Sequence, residues 1–150
     1  KLNMGKKFGL THTINGKLEN LKNKIDKILG KKGPEVIFET TGNSKLMEKA
    51  YDLTPHDGKT IFVGVPDDKI KINSLPLAFK KVLKASHGGA SFPEHDIPRY
   101  IKLLENNKIN LKNFITHEFE LKDINKAISL FRTGKAGRII IKLCDESEWG

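Results

Sequence analysis

Apolar residues between Gly16 and Gly30 fall at Leu18, Leu21, Ile25, Ile28 and Leu29, spacings of three and four that place them on one face of a helix. Gly30 and Gly33 close that predicted helix, with Pro34 beyond. Glu35–Glu39 then forms a short apolar run rich in β-branched and aromatic residues, as expected of a strand buried on both faces. Thr40-Thr41-Gly42-Asn43 breaks the run. Ser44 is the expected N-cap of a second helix bearing Leu46, Met47, Ala50, Tyr51 and Leu53, and Pro55-His56-Asp57-Gly58 has turn chemistry. A second strand is predicted at Thr60–Val63, stopping at Gly64-Val65-Pro66. Strand, helix and strand in this order predict a βαβ unit and hence a parallel sheet.

Further along, Ile70 and Ile72 alternate with lysines before Leu75–Phe79, a segment that Pro76 makes a poor central strand. Lys81–Ser86 is predicted to be a strand near a sheet edge, ended by His87-Gly88-Gly89. Asp96 is expected to cap a helix with Pro98 in its first turn, Ile97, Ile101 and Leu104 on one face, and Lys108 near its C-terminal end. Phe114–Ile115 and Glu118–Leu121 read as two short extended segments. Asp123 caps a last helix carrying Ile124, Ala127, Ile128 and Phe131, closed by Gly134, and the chain finishes on the strand Arg138–Leu143. The expected class is therefore α/β, with all 150 residues in a single domain.

Composition narrows the function. Of 27 basic residues only Arg99, Arg132 and Arg138 are arginines, against 18 acids, for a net charge of +9. Such a charge raises the possibility of phosphate neutralisation by a nucleic-acid binder. The lysines, however, are spread along the chain and often stand beside acids, as between Lys17 and Lys27, which suits solvated helix faces better. No nucleic-acid partner is expected. No run of 18 apolar residues occurs, and Lys1–Gly9 is a basic amphipathic stretch rather than the start of a signal peptide, so no membrane role is predicted. Cys144 is the single cysteine, which excludes an internal disulfide and fits a reducing, cytoplasmic setting.

Open α/β sheets bind ligands at the carboxyl ends of their strands. Three strand exits carry the small residues such a site needs: Thr40-Thr41-Gly42, Gly64-Val65-Pro66 and Ala85-Ser86-His87-Gly88-Gly89. The dinucleotide fingerprint Gly-x-Gly-x-x-Gly is absent, as is a phosphate-binding P-loop. The five histidines never take a metal-ligand spacing, and no nucleophile elbow occurs. His87 stands out only because it lies at a strand exit.

With those segments placed, the sequence resembles the zinc-dependent medium-chain alcohol dehydrogenase family. The resemblance rests on landmarks in order: Phe8–Asn15, Phe38-Glu39-Thr40-Thr41-Gly42, Val63-Gly64-Val65-Pro66, Gly88-Gly89, Ile115–Phe119, Asp123–Ala127 and Gly134–Arg138. It implies a Rossmann-like, doubly wound, mostly parallel sheet, incomplete at its N-terminal side, from the C-terminal part of an enzyme that moves hydride between an alcohol or aldehyde and NAD or NADP. In that family Thr40, Thr41, Val63, Gly64 and Val65 would line the nicotinamide and ribose, Ala85, Ser86 and His87 would hold the carboxamide, and Arg138 would approach the pyrophosphate, unless a neighbouring acid engages it. Lys1 would lie near the ribose. The resemblance places the zinc ligands, proton relay and glycine fingerprint upstream, so it assigns no catalytic or metal residue here, and the chain alone is expected to be inactive. Homo-oligomerisation, as a dimer, is also implied. The alternatives are a zinc-free quinone or enoyl reductase of the same superfamily and a noncatalytic module, either a cofactor sensor or a basic nucleic-acid binder.

Overall fold

The computed structural model describes residues 2–17, 20–108, 111 and 114–143. In chain order the regular elements are α1 (Leu2–Lys7), α2 (Leu21–Leu29), β1 (Val36–Glu39), α3 (Ser44–Leu53), β2 (Lys59–Phe62), β3 (Val82–Ala85), α4 (Pro93–Glu105), β4 (Ile115–Glu120), α5 (Ile124–Arg132) and β5 (Arg138–Lys142). They fall into two compact units, one of Ile14–Ser91 and one built from Lys1–Thr13 with Phe92–Gly150.

In the Ile14–Ser91 unit, β1, β2 and β3 make a parallel sheet with β2 in the centre. Helix α3 provides the crossover from β1 to β2 and packs on both. Its inward face is set by period: Met47, Ala50 and Tyr51 are buried, and Thr54 follows one turn later at the C-cap. Thr60 and Phe62 of β2 are buried too. Full burial of Met47 or Tyr51 contributes about 1.5–3 kcal/mol each. Polar groups in this core are satisfied: the Thr54 hydroxyl donates to Ala50 O at 2.8 Å and lies 2.7 Å from the Thr60 hydroxyl. The buried Lys81 ammonium donates to Thr54 O at 2.8 Å and sits 3.9 Å above the Tyr51 ring.

Several expectations shift in detail. The α2 pattern began at Gly16, but the helix starts at Leu21, because Asn20 accepts the Asn23 amide and fixes the cap there; Leu18 lies outside the described residues. Asn43, not Ser44, caps α3 by accepting Leu46 N at 3.1 Å. Strand β1 is not buried on both faces: Glu39 is buried whereas Phe38, on the opposite face, is 64% exposed. Leu75–Ala78 is a 3₁₀ turn with Pro76 near its start, and β3 is an edge strand as predicted.

The second unit contains another parallel pair, β4 and β5, joined through α5. The sequence suggested two extended segments where the structure has one strand. Thr116 is the reason: the pairing shifts register between Ile115 and His117, and the Thr116 hydroxyl accepts Gly137 N at 2.9 Å in place of a regular ladder bond. Helix α4 begins at Pro93, so Asp96 is not its N-cap; its carboxylate instead takes the Phe92 amide at 2.9 Å from within the first turn. The helix ends at Glu105, before Lys108. Asp123 holds the cap position of α5 without a side-chain cap bond, its carboxylate being paired with Lys126 at 2.8 Å.

Candidate functional site

Parallel register turns three separate exits into one edge. Glu39 pairs with Phe62, and Phe62 with Ala85, so the chains leaving β1, β2 and β3 emerge side by side. The ladder runs on into the exits, with Val63 N bonded to Glu39 O at 2.8 Å and Ser86 N to Phe62 O at 2.8 Å. Thr40, Thr41, Val63, Gly64, Val65, Ala85, Ser86 and His87 are thereby gathered along one edge. Val65 is 87% exposed there. His87 precedes a tight turn in which Gly88 and Gly89 have φ of 56° and 70°.

Two glycines bring the first two exits into contact. Gly42 has φ of 74°, and a Cβ on it would overlap the Val65 carbonyl oxygen; a Cβ on Gly64 would overlap the Gly42 amide nitrogen. No other side chain fits either position without parting the loops.

Two carboxylates organise the same exits, and neither was evident as a site residue in the sequence. Glu39 ends β1 with its side chain buried, accepting the Thr41 hydroxyl at 2.5 Å, Thr41 N at 2.8 Å and Gly42 N at 3.1 Å. Burial pushes this carboxyl up, but bonds from the Thr41 hydroxyl and the Thr41, Gly42 and Thr40 amides outweigh it, so its pKa lies below the ordinary value. Asp67, after β2, accepts the Ser44 hydroxyl at 2.5 Å and Ser44 N at 2.9 Å, with Asn43 Nδ2 at 3.3 Å. Bonds from the Ser44 hydroxyl and amide hold the Asp67 carboxyl below its usual range. The carboxylate also sits at the N-terminus of α3, where the helix dipole favours an anion. The amides of Thr41, Gly42 and Ser44 are thus already bonded to carboxylates of this chain.

Arg138 stands in the other unit, as the first residue of β5. It is exposed, has no ion-pair partner among the described residues, and borders an apolar cavity of about 590 Å³ lined by Met4, Phe114, Ile115 and Ile140. No acid among the described residues engages it. No three His, Cys, Asp or Glu side chains among the described residues are grouped to hold a metal ion. Lys1 and Cys144 lie outside the described residues. No helix among those described is long and apolar enough to cross a membrane.

Parallel strands, a helical crossover and small-residue exits along the carboxyl edge define a Rossmann-like α/β fold. The profile of the zinc-binding dehydrogenase family matches residues 1–106, and the chain belongs to that family. It is 34% identical over 146 residues to alcohol dehydrogenase-like 1 of Arabidopsis thaliana, with 94% of this chain and 38% of the relative covered. It is 30% identical over 145 residues to alcohol dehydrogenase 1 of Zea mays, covering 92% and 38%. The fold superposes on benzyl alcohol dehydrogenase from Acinetobacter calcoaceticus with a TM-score of 0.83 and 25% identity, covering 95% of this chain and 40% of that one. The chain therefore spans about two-fifths of the length of these relatives. The resemblance seen in the landmark motifs is thus confirmed at the level of family and fold.

Proposed function

We propose that this chain is the C-terminal portion of a dinucleotide-binding domain, in an oxidoreductase that moves hydride between an alcohol or aldehyde and NAD or NADP. The carboxyl edge of the β1–β3 sheet would receive the nicotinamide and its ribose. The observation that carries this reading is the occupancy of the edge amides. With Thr41 N, Gly42 N and Ser44 N bonded to Glu39 and Asp67, the edge has little left to offer a phosphate and two carboxylates beside it. An uncharged or cationic ring suits it better than the pyrophosphate. Thr40, Thr41, Val63, Gly64 and Val65 would contact the ring and ribose, Ala85, Ser86 and His87 the carboxamide, and Arg138 would contact the cofactor pyrophosphate.

The bound nicotinamide would supply the hydride chemistry, and the chain's part is to hold and orient it. The described residues do not fit zinc, so any zinc in the complete enzyme would take its ligands from elsewhere. The exposed edge of β3 supports homo-oligomerisation, most simply a dimer by strand addition. A single cysteine accords with a cytoplasmic setting. The test is fluorescence titration of the full-length protein with NADH and NADPH, repeated on Val65→Glu. Binding that Val65→Glu abolishes supports the proposal. Absence of binding, or DNA binding that falls steeply with salt in its place, refutes it.

A further inference from the structure

We propose that Asp67 is a positioning residue whose bonds to Ser44, Asn43 and Gly42 set the spacing between the β1 and β2 exits. The inference rests on the reading of those exits as the cofactor edge. Asp67 is joined to the first exit from both its ends. Its carboxylate takes the Ser44 amide and hydroxyl and the Asn43 amide group, while its own backbone N–H donates to Gly42 O at 2.9 Å. Partners more than twenty residues away in sequence are thereby fixed to one another. The Ser44 hydroxyl also accepts Asp68 N at 2.9 Å, so the pair grips two successive residues of the second exit.

The glycines make this grip consequential. Gly42 and Gly64 touch backbone to backbone, which leaves the exits no slack for small adjustments by side-chain rotation. Asp67 closes that contact from outside, and its charge is matched to the α3 N-terminus and to a hydroxyl, an amide and a carboxamide donor. Neighbouring Asp68 provides an internal comparison. Among the described residues its carboxylate accepts only the adjacent Lys69 amide, at 2.7 Å, and bridges no others.

Electrostatics and positioning predict opposite signs. Removing an anion near an anionic dinucleotide should tighten binding, whereas loosening the exits should weaken it. Asp67→Asn, Ser44→Ala and Asp68→Asn are made in the full-length protein, and the NADH dissociation constant is measured at one ionic strength, under conditions where circular dichroism shows each variant folded. Asp67→Asn is expected to weaken NADH binding on the order of tenfold and Ser44→Ala about threefold. Asp68→Asn should leave it unchanged or slightly tighter. Should Asp67→Asn fail to fold, Ser44→Ala against Asp68→Asn decides the matter. A wild-type protein that binds NADH with Asp67→Asn or Ser44→Ala equal to it, or tighter, overturns the positioning role and leaves the cofactor edge standing. A purely structural role would lower the melting temperature without moving the dissociation constant, and that result also overturns the proposal. A wild-type protein that binds no nicotinamide dinucleotide overturns both.

Discussion

Gly42→Ala isolates the contact on which the edge is built. Two effects of different origin add at this position. The φ of 74° is one that L-residues adopt at a cost of about 1–2 kcal/mol, partly offset by about 0.4–1 kcal/mol from the stiffer unfolded chain. The new Cβ also overlaps Val65 O, and relief requires the exits to part. Parting them strains the Asp67 N bond to Gly42 O at 2.9 Å and the Gly42 N bond to Glu39 at 3.1 Å, worth about 0.5–1.5 and 1.5–3 kcal/mol. The expected loss is about 3–5 kcal/mol, a large share of the roughly 5–15 kcal/mol that holds a domain folded. Two comparisons separate the effects. Gly89→Ala, with φ of 70° and nothing within 4 Å of its Cβ, carries only the backbone conformational cost, about 1 kcal/mol. Gly64 has no such φ, so Gly64→Ala carries only the overlap with Gly42, roughly 2–4 kcal/mol. Urea unfolding followed by far-ultraviolet circular dichroism gives the three differences at constant slope. If Gly42→Ala costs no more than Gly89→Ala, the close approach of the exits does not exist in solution.

Burial pulls the Lys81 ammonium below its ordinary value of 10.5, so the folded protein releases this proton before the unfolded chain does and stability should rise with pH between the two values. Lys81→Met should lack that rise; parallel urea-stability curves for wild type and variant from neutral pH to 10.5 would refute the assignment. Arg138→Ala should weaken dinucleotide binding by the full-length protein roughly 10- to 150-fold, less so at high salt, with the melting temperature unmoved. An unaltered dissociation constant removes Arg138 from the cofactor site. Val82→Glu, on the exposed edge of β3, should turn an oligomer into a monomer in light scattering; a wild-type monomer at every concentration excludes strand addition there.

The strands were legible because short apolar runs bounded by glycine or proline have few other uses, and β1, β2 and β5 lie within one residue of their predicted limits or inside them. Helix starts were harder to place. Asn43 and Ser44 are both capable caps, and the choice between them was made by Asp67, which occupies Ser44 from a distant loop. Strand β4 looked divided because polar Thr116 and His117 interrupt its apolar run, and the bulge that carries one strand through them, satisfied by the Thr116 hydroxyl, leaves no mark on hydrophobic periodicity. The exposure of Phe38 was equally invisible, since an apolar residue in a strand says nothing about whether its face is covered.

The candidate site shows the same division more sharply. Glycine and threonine at the strand exits could be read from local chemistry, because a turn needs them wherever the strand pairs. Glu39 and Asp67 could not, since one read as the end of an apolar run and the other as a turn residue. Their role depends on which backbone amides the parallel register brings near them. A contiguous phosphate loop carries its donors within one segment and so leaves a motif. This edge is instead assembled from the 39–44 and 64–68 segments, joined through Gly42, Gly64 and two carboxylates, and no single segment holds enough of it to be recognised. That arrangement also explains why substitutions at either segment should act on the other: the spacing of the exits belongs to the pair. Double-mutant coupling between Ser44→Ala and Asp67→Asn is therefore expected to be non-additive.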